Sequence, residues 1–174
     1  MFGICNLAII PLRFEPSDRS EIVSQVLFGE HFEVLEQQKQ WSRIKMHFDG
    51  YEGWVDSKQY QVIDESNFNQ LSEDPIILNS DLIEYVTGPS NLLMPIPLGA
   101  SITFISNDNI NTSHFDFEGT KVNGVKDKKH LISTAFLYLN APYLWGGKTP
   151  FGIDCSGFTQ MVYKLNGYKL LRDA

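Results

Sequence analysis

The chain has 174 residues with 14 Lys plus Arg against 21 Asp plus Glu, a formal charge of −7. That balance argues against nucleic acid or an anionic membrane surface as partner. With 43% hydrophobic and 13% aromatic residues, it has enough apolar side chains to fold. A disordered chain would be poorer in them. No apolar run approaches the ~20 residues of a membrane span. The two cysteines, Cys5 and Cys155, sit at opposite ends, which excludes a disulfide framework and a paired-Cys metal site. No metal and no other cofactor is expected. Residues 1–11 have no basic residue before Arg13 and so lack the charged start of a signal peptide. The expected compartment is the cytoplasm, where thiols stay reduced.

Residues 1–63 read as a small β-barrel. Leu7–Ile10 is a short apolar run expected to end at Pro11, and Glu15-Pro16-Ser17-Asp18 is a turn. Val23–Leu27 is a second apolar stretch. His31–Glu36 and Trp41–Met46 alternate polar and apolar residues, the period of half-buried strands. Asp49-Gly50 marks a hairpin, followed by a short strand over Tyr51–Val55. Residues 64–79 read as a polar connector. It holds one helical turn capped by Asp64-Glu65-Ser66 and broken at Asp74-Pro75.

Residues 80–126 look β again and echo the first segment. Leu98-Gly99 before Ile102–Ile105 repeats Phe28-Gly29 before Phe32–Leu35. The run His114–Gly119 repeats His47–Gly53. The reading is a second, degenerate copy of the first barrel, each copy closing its own small core. Residues 127–174 change character. Leu131, Ile132, Ala135, Phe136 and Leu139 fall at helical spacing, stopped at Asn140-Ala141-Pro142. A Gly-rich loop over 146–152 follows. A second helix is then capped by Asp154, buried through Phe158, Met161, Val162 and Leu165, and ended by Asn166-Gly167.

Asp154-Cys155-Ser156-Gly157 is the stretch richest in chemistry. It puts a cysteine in a helix's first turn, where unpaired N–H groups and the helix dipole favour a thiolate. The neighbouring Asp154 opposes that charge and so needs another role. From spacing alone the plainer reading is a small buried residue at a helix start. Gly147-Lys148-Thr149 imitates the end of a phosphate-binding loop, but Pro142 stands where its first glycine belongs. Trp41, Tyr51 and Trp54 would allow Pro-rich peptide binding, a reading set aside beside the cysteine motif.

Pro142-Tyr143-Leu144-Trp145-Gly146-Gly147 followed by Gly152-Ile153-Asp154-Cys155-Ser156-Gly157-Phe158 resembles the nucleophile region of the NlpC-type cell-wall endopeptidases, which are papain-like cysteine peptidases. Pro11-Leu12-Arg13-x-Glu15-Pro16-Ser17 and Gly50–Val55 resemble the bacterial SH3-like domains that precede this catalytic domain. The resemblance implies a mostly β N-terminal part of one or two small SH3-like barrels, then an α+β papain-like domain of which only the first helices are present. It divides the chain into SH3-like 1–63, linker 64–79, degenerate SH3-like 80–126 and peptidase 127–174. It implies cleavage of the γ-D-glutamyl–diamino acid bond in murein tripeptides or tetrapeptides with free N-terminal L-Ala. Cys155 would be the nucleophile and its backbone N–H an oxyanion donor. Glu15, Tyr51, Asp154 and Ser156 would hold the substrate's amino end, and Arg172 and Asp173 would line the pocket.

The resemblance also implies a departure. The mechanism needs a His as base, and His31, His47, His114 and His130 do not match the family's base. The chain reads as the front portion of a longer enzyme, without turnover on its own. The alternative is a non-catalytic module that binds murein peptide. The sequence does not give an oligomeric state.

Overall fold

The structure is a computed structural model and describes residues 1–105 and 115–173. Seven strands form the first unit: β1 (Phe2–Ile4), β2 (Ile9–Arg13), β3 (Ile22–Leu27), β4 (His31–Gln38), β5 (Trp41–Met46), β6 (Glu52–Asp56) and β7 (Gln61–Ile63). They pair antiparallel in the order β3-β2-β6-β5-β4-β1-β7. The alternation in β4 and β5 puts Phe32, Val34, Ile44 and Met46 inward with Ile10, Leu12, Val26 and Val55. Cys5 lies in this core, its thiol 3.1 Å from the Leu7 carbonyl. Trp41 is buried too, so it does not line an open peptide groove.

One boundary differs from expectation. Strand β2 does not end at Pro11 but runs through it to Arg13. Proline lacks an N–H, so it is tolerated only where no ladder bond is needed. Here β6 meets β2 only at Arg13↔Trp54, which leaves the N–H side of Pro11 without a ladder bond to make.

Asp64 accepts from the Asn67 amide at 2.7 Å and starts α1 (Glu65–Glu73). The rest of the connector is not bare linker. Strand β8 (Ile77–Asn79) is followed by β9 (Ile83–Thr87), a 3-10 turn at Pro89–Asn91, β10 (Leu93–Pro97), β11 (Asp116–Phe117) and β12 (Lys121–Asn123). These make a β10-β9-β11 sheet and a β12-β8 pair.

The echo seen in the sequence recurs in the backbone. In the first unit Cys5 N donates to Glu30 O, Gly29 N to Cys5 O, Phe28 N to Ala8 O, and Glu30 N to Leu27 O, at 2.8–3.2 Å. In the second, Asn79 N donates to Ala100 O, Gly99 N to Asn79 O, Leu98 N to Leu82 O, and Ala100 N to Pro97 O, at 2.9–3.1 Å. Gly29 and Gly99 share φ of +74° and +81°, the left-handed region that favours glycine. The two turns meet: Ser101 N donates to Phe28 O at 2.8 Å, and a Cβ on Gly29 would lie 1.9 Å from Ser101 O.

The second copy is incomplete in a specific place. Where the first has the eight-residue β4, Ile102–Ile105 forms a turn, closed by Ile105 N to Ile102 O at 3.2 Å. Nor does this unit close its own core, as had been expected. Val86, Ile96, Ala100, Ile102, Phe104 and Phe117 pack with Ile4, Phe28 and Ile63 of the barrel and Leu71 of α1. The His114 end of the echo lies outside the described residues.

The last segment holds α2 (His130–Phe136), the hairpin β13 (Lys148–Thr149) and β14 (Gly152–Ile153), and α3 (Cys155–Lys164). α2 is shorter than its apolar spacing suggested. Leu131 and Ala135 pack inward with Tyr138, while Ile132, Phe136 and Leu139 stay exposed. On α3, Phe158, Met161, Val162 and Leu165 pack against Leu27, Leu78, Leu98 and Val122 as well as α2. No described helix is long and apolar enough to cross a membrane.

Candidate active site

Asp154 sits in extended backbone and caps α3, its Oδ1 accepting from Gly157 N at 2.7 Å. Cys155 is therefore the first helical residue. Free N–H groups in such a first turn face whatever lies beyond the helix end. The Cys155 side is exposed, not buried as the plainer sequence reading had it.

The Asp154 carboxylate is fully engaged. Oδ1 also accepts from Ser156 Oγ at 3.3 Å, and Oδ2 accepts from Gly146 N at 2.8 Å and Arg172 Nη2 at 2.6 Å. Four donors fill the lone-pair sites of one carboxylate. Burial would raise this carboxyl, but the Arg172 guanidinium and the two amides outweigh it and hold it below its usual range. This answers why an acid stands beside the thiol. Asp154 caps the helix, anchors the Gly-Gly loop and seats Arg172, and it also lines the cavity beside Cys155.

Arg172 does not line the pocket. It is 2% exposed and lies behind the motif. Its guanidinium donates to Ser156 Oγ and Asp154, and its Nε donates to Ser24 Oγ on β3 at 3.1 Å. Ser156 is thereby held between Arg172 and Asp154. Asp173, the next residue, is exposed and accepts from Tyr51 OH at 2.9 Å. Burial and this carboxylate push the Tyr51 phenol up to about 12.

Beside Cys155 lies a cavity of about 320 Å³. Phe14, Tyr143 and Trp145 are its aromatic walls, and Glu21, Tyr51, Asp154, Ser156 and Asp173 its polar ones. Glu15 does not line it. The β2–β3 loop folds back, with Phe14 N donating to Glu21 O at 3.0 Å. Glu15 is left exposed, its N–H bonded to Ser20 Oγ. The acid brought to Cys155 is Glu21, which accepts from Trp145 Nε1 at 2.5 Å. Nothing in the local sequence singled out Glu21. Its signal lies in a bond between residues 124 positions apart. None of the described histidines His31, His47 and His130 lines this cavity.

β3, an edge strand of the barrel sheet, holds the Gly146-Gly147 loop. Gly146 passes so close that a Cβ would lie 2.3 Å from Ile22 O, and Lys148 N donates to Gln25 Oε1 at 2.7 Å. Beneath the loop, Glu30 of the barrel lies buried between Lys148 Nζ at 3.4 Å and Lys164 Nζ at 2.5 Å. Burial would raise Glu30, but the two lysines bring it down to about 2. Lys148 is thus bound inside the protein and not aimed at a phosphate. Among the described residues no group of three or more His, Cys, Asp or Glu side chains is arranged to hold a metal.

Residues 12–59 match the family described as the bacterial dipeptidyl-peptidase Sh3 domain, and residues 140–174 match the NlpC/P60 family. A gamma-D-glutamyl-L-lysine dipeptidyl-peptidase of Bacillus subtilis is 30% identical over 168 residues, covering 88% of this chain and 56% of that protein. The Bacillus cereus protein of the same name is 25% identical over 190 residues, covering 91% of this chain and 54% of the relative. The chain thus spans little more than half the length of these curated relatives. Among solved structures, an NlpC/P60 family protein of Bacillus cereus superposes with a TM-score of 0.82 at 19% identity, covering 99% of this chain and 75% of that one. An NlpC/P60 endopeptidase of Photobacterium damselae superposes with a TM-score of 0.75 at 17% identity, covering 99% and 44%. Likeness at these identities speaks for the fold. In chain order, the chain is thus similar first to a bacterial dipeptidyl-peptidase SH3 domain and then to the NlpC/P60 family.

Proposed function

We propose that Cys155 is the nucleophile of a cysteine peptidase site that cleaves the γ-D-glutamyl–diamino acid bond of murein peptides with a free N-terminal L-Ala. The observation that carries this reading is the cavity beside an exposed, helix-starting Cys155, walled by three acids and a phenol. A peptide's terminal ammonium suits that wall: Glu21 and Asp173 supply charge, and Tyr51 a hydrogen-bond partner. The aromatic side chains shape the space for a small N-terminal residue. The names of the Bacillus relatives support the γ-D-glutamyl assignment.

In this reading the Cys155 sulfur attacks the γ-D-glutamyl carbonyl, and the carbonyl oxygen takes the negative charge. The free backbone N–H groups at the start of α3 stabilise that oxyanion. The C–N bond breaks, the diamino acid leaves as an amine with the proton the thiol gave up, and a thioester remains for water to hydrolyse. A base has to carry that proton. No described histidine lines the cavity, so the base comes from outside its described lining. That same observation favours a second reading, in which the 174-residue chain binds the peptide without turnover.

Calorimetric titration with L-Ala-γ-D-Glu-L-Lys tests the proposal. Binding by the free-amine peptide is expected, with the N-acetylated peptide weaker by at least tenfold, since losing a charged hydrogen-bond partner costs about 1.5–3 kcal/mol. Equal binding of both peptides removes the ammonium reading. Cleavage by the chain itself, abolished in Cys155→Ala, removes the binding-only reading.

A further inference from the structure

α3 also buries a polar side chain outside the lining of the cavity. Gln160 is 1% exposed and stands on the helix that begins with Cys155. Its Nε2 donates to Asp49 Oδ2 at 2.7 Å and to Leu170 O at 3.1 Å. Asp49 lies in the β5–β6 turn, and its other oxygen accepts from Tyr51 N at 3.0 Å. Leu170 lies in the tail, three residues before Asp173. Tyr51 OH then donates to Asp173. The bonds close a ring: helix to turn, turn to Tyr51, Tyr51 to Asp173, tail back to helix.

We propose that Gln160 is the positioning residue of the ammonium pocket: it fixes Tyr51 and Asp173 relative to Cys155 by tying the β5–β6 turn and the 170–173 tail to the nucleophile helix. The inference rests on the reading of that cavity given above. Two physical points support it. The Gln160 Oε1 is buried without a hydrogen-bond partner, and leaving a buried acceptor unmet is unfavourable. On stability alone, an apolar side chain would suit this buried helix face better, so the amide is there for its two donated bonds. Those bonds also need a neutral donor. A lysine at this position would bring a cation to Asp49 and toward Asp173, where it would compete with the substrate's ammonium.

The test compares Gln160→Met, which keeps length and shape without donors, with Gln160→Glu, which places an acceptor opposite Asp49. Asp49→Ala cuts the ring from its partly exposed side. Each variant is read three ways: affinity for the dipeptide L-Ala-γ-D-Glu and its N-acetyl form, the iodoacetamide rate at Cys155, and the titration of Tyr51 by tyrosine-selective ¹³C NMR. In all three variants the free-amine affinity should fall about tenfold, as expected for a charged pocket losing its geometry. N-acetyl affinity should not change. The Cys155 rate should stay within about twofold, because the Asp154 cap is untouched. Burial holds the Tyr51 phenol up in every case, but its titration should fall below the wild-type value as Asp173 moves away. Folded variants that keep the free-amine affinity and the Tyr51 titration overturn the proposal. So does a parallel fall of every readout, or loss of folding in all three variants, since each shows a merely structural side chain. If the wild-type chain binds neither peptide, the ammonium reading fails by itself. The Tyr51 titration still decides what Gln160 does.

Discussion

The two β units share one turn and differ in what they build on it. The first adds the long strand β4, pairs it with β5 and β1, and closes a core of its own around Phe32 and Ile44. The second repeats the same four backbone bonds around Gly99 but turns at Ile102–Ile105. It therefore leans on Phe28, Ile4 and Leu71. A repeated turn is a local matter, set by one left-handed glycine and a few bonds. A closed core needs the full set of strands. The same contrast explains how the site is built, because of the two β units only the complete one lends walls to the cavity beside Cys155. Glu21 comes from the edge of the barrel and Tyr51 from its hairpin, while the incomplete unit packs beneath α3 through Leu78, Leu98 and Val122.

The sharpest way to break this comparison is to separate the units. Residues 1–63 alone should unfold cooperatively in urea, and residues 64–126 alone should show no cooperative transition. A cooperative second fragment would show that it has a core of its own. Next in size is the buried charge beneath the loop. Glu30→Gln leaves Lys148 and Lys164 buried without their anion and should cost about 3–5 kcal/mol by chemical denaturation. A loss under about 1 kcal/mol would mean that water reaches the lysines.

Acid should then strain the stacked His31 and His47 before it strains Glu30. His31 and His47 stack at 4.5 Å, and both rings bond to Ser72 Oγ at 3.3 Å. That hydroxyl donates to Phe68 O at 2.7 Å, so each imidazole acts as the donor. Burial, and then His47, lowers His31 to about 4. A base whose folded value is lowered binds fewer protons folded than unfolded. Stability is then full above about pH 6.5 and is lost as pH falls from 6.5 toward 4, by ~2–3 kcal/mol in all. Glu30, lowered to about 2, adds loss only as pH falls from 4.5 toward 2. His31→Gln should flatten the upper window and leave the lower one. An unchanged slope between pH 6.5 and 4 would show that His31 is not the group responsible. The smallest effect concerns the glycines. Gly29→Ala should cost more than Gly99→Ala, because the new Cβ meets the Ser101 backbone in one case and the movable end of Met161 in the other. Equal losses would mean that the two turns are not held differently.

Much of this was legible in the sequence wherever the signal is local. Alternation placed β4 and β5, Asp49-Gly50 placed the hairpin, and Asp154 placed the start of α3 under Cys155. What was missed joins distant residues. Glu15 stood in the right motif, yet the loop carries Glu21 to the cavity. Glu30 meets two lysines more than 100 residues away, and Gln160 meets Asp49 at a separation of 111. The exposure of Ile132, Phe136 and Leu139 on and after α2 was not legible for the same reason. Apolar spacing shows that a helix has a face, but not what covers it.

The proposed function turns on one claim, that a free ammonium is held beside Cys155. Competition at the thiol tests it most directly. Cys155 is exposed, whereas Cys5 is buried in the barrel and its thiol is pushed up by that burial. Iodoacetamide should therefore modify Cys155 first, as mass spectrometry of partly labelled protein would show. Saturating L-Ala-γ-D-Glu-L-Lys should slow that labelling, N-acetyl-L-Ala-γ-D-Glu-L-Lys should not, and Glu21→Gln with Asp173→Asn should abolish the protection. Equal protection by both peptides, or by neither, would contradict the account.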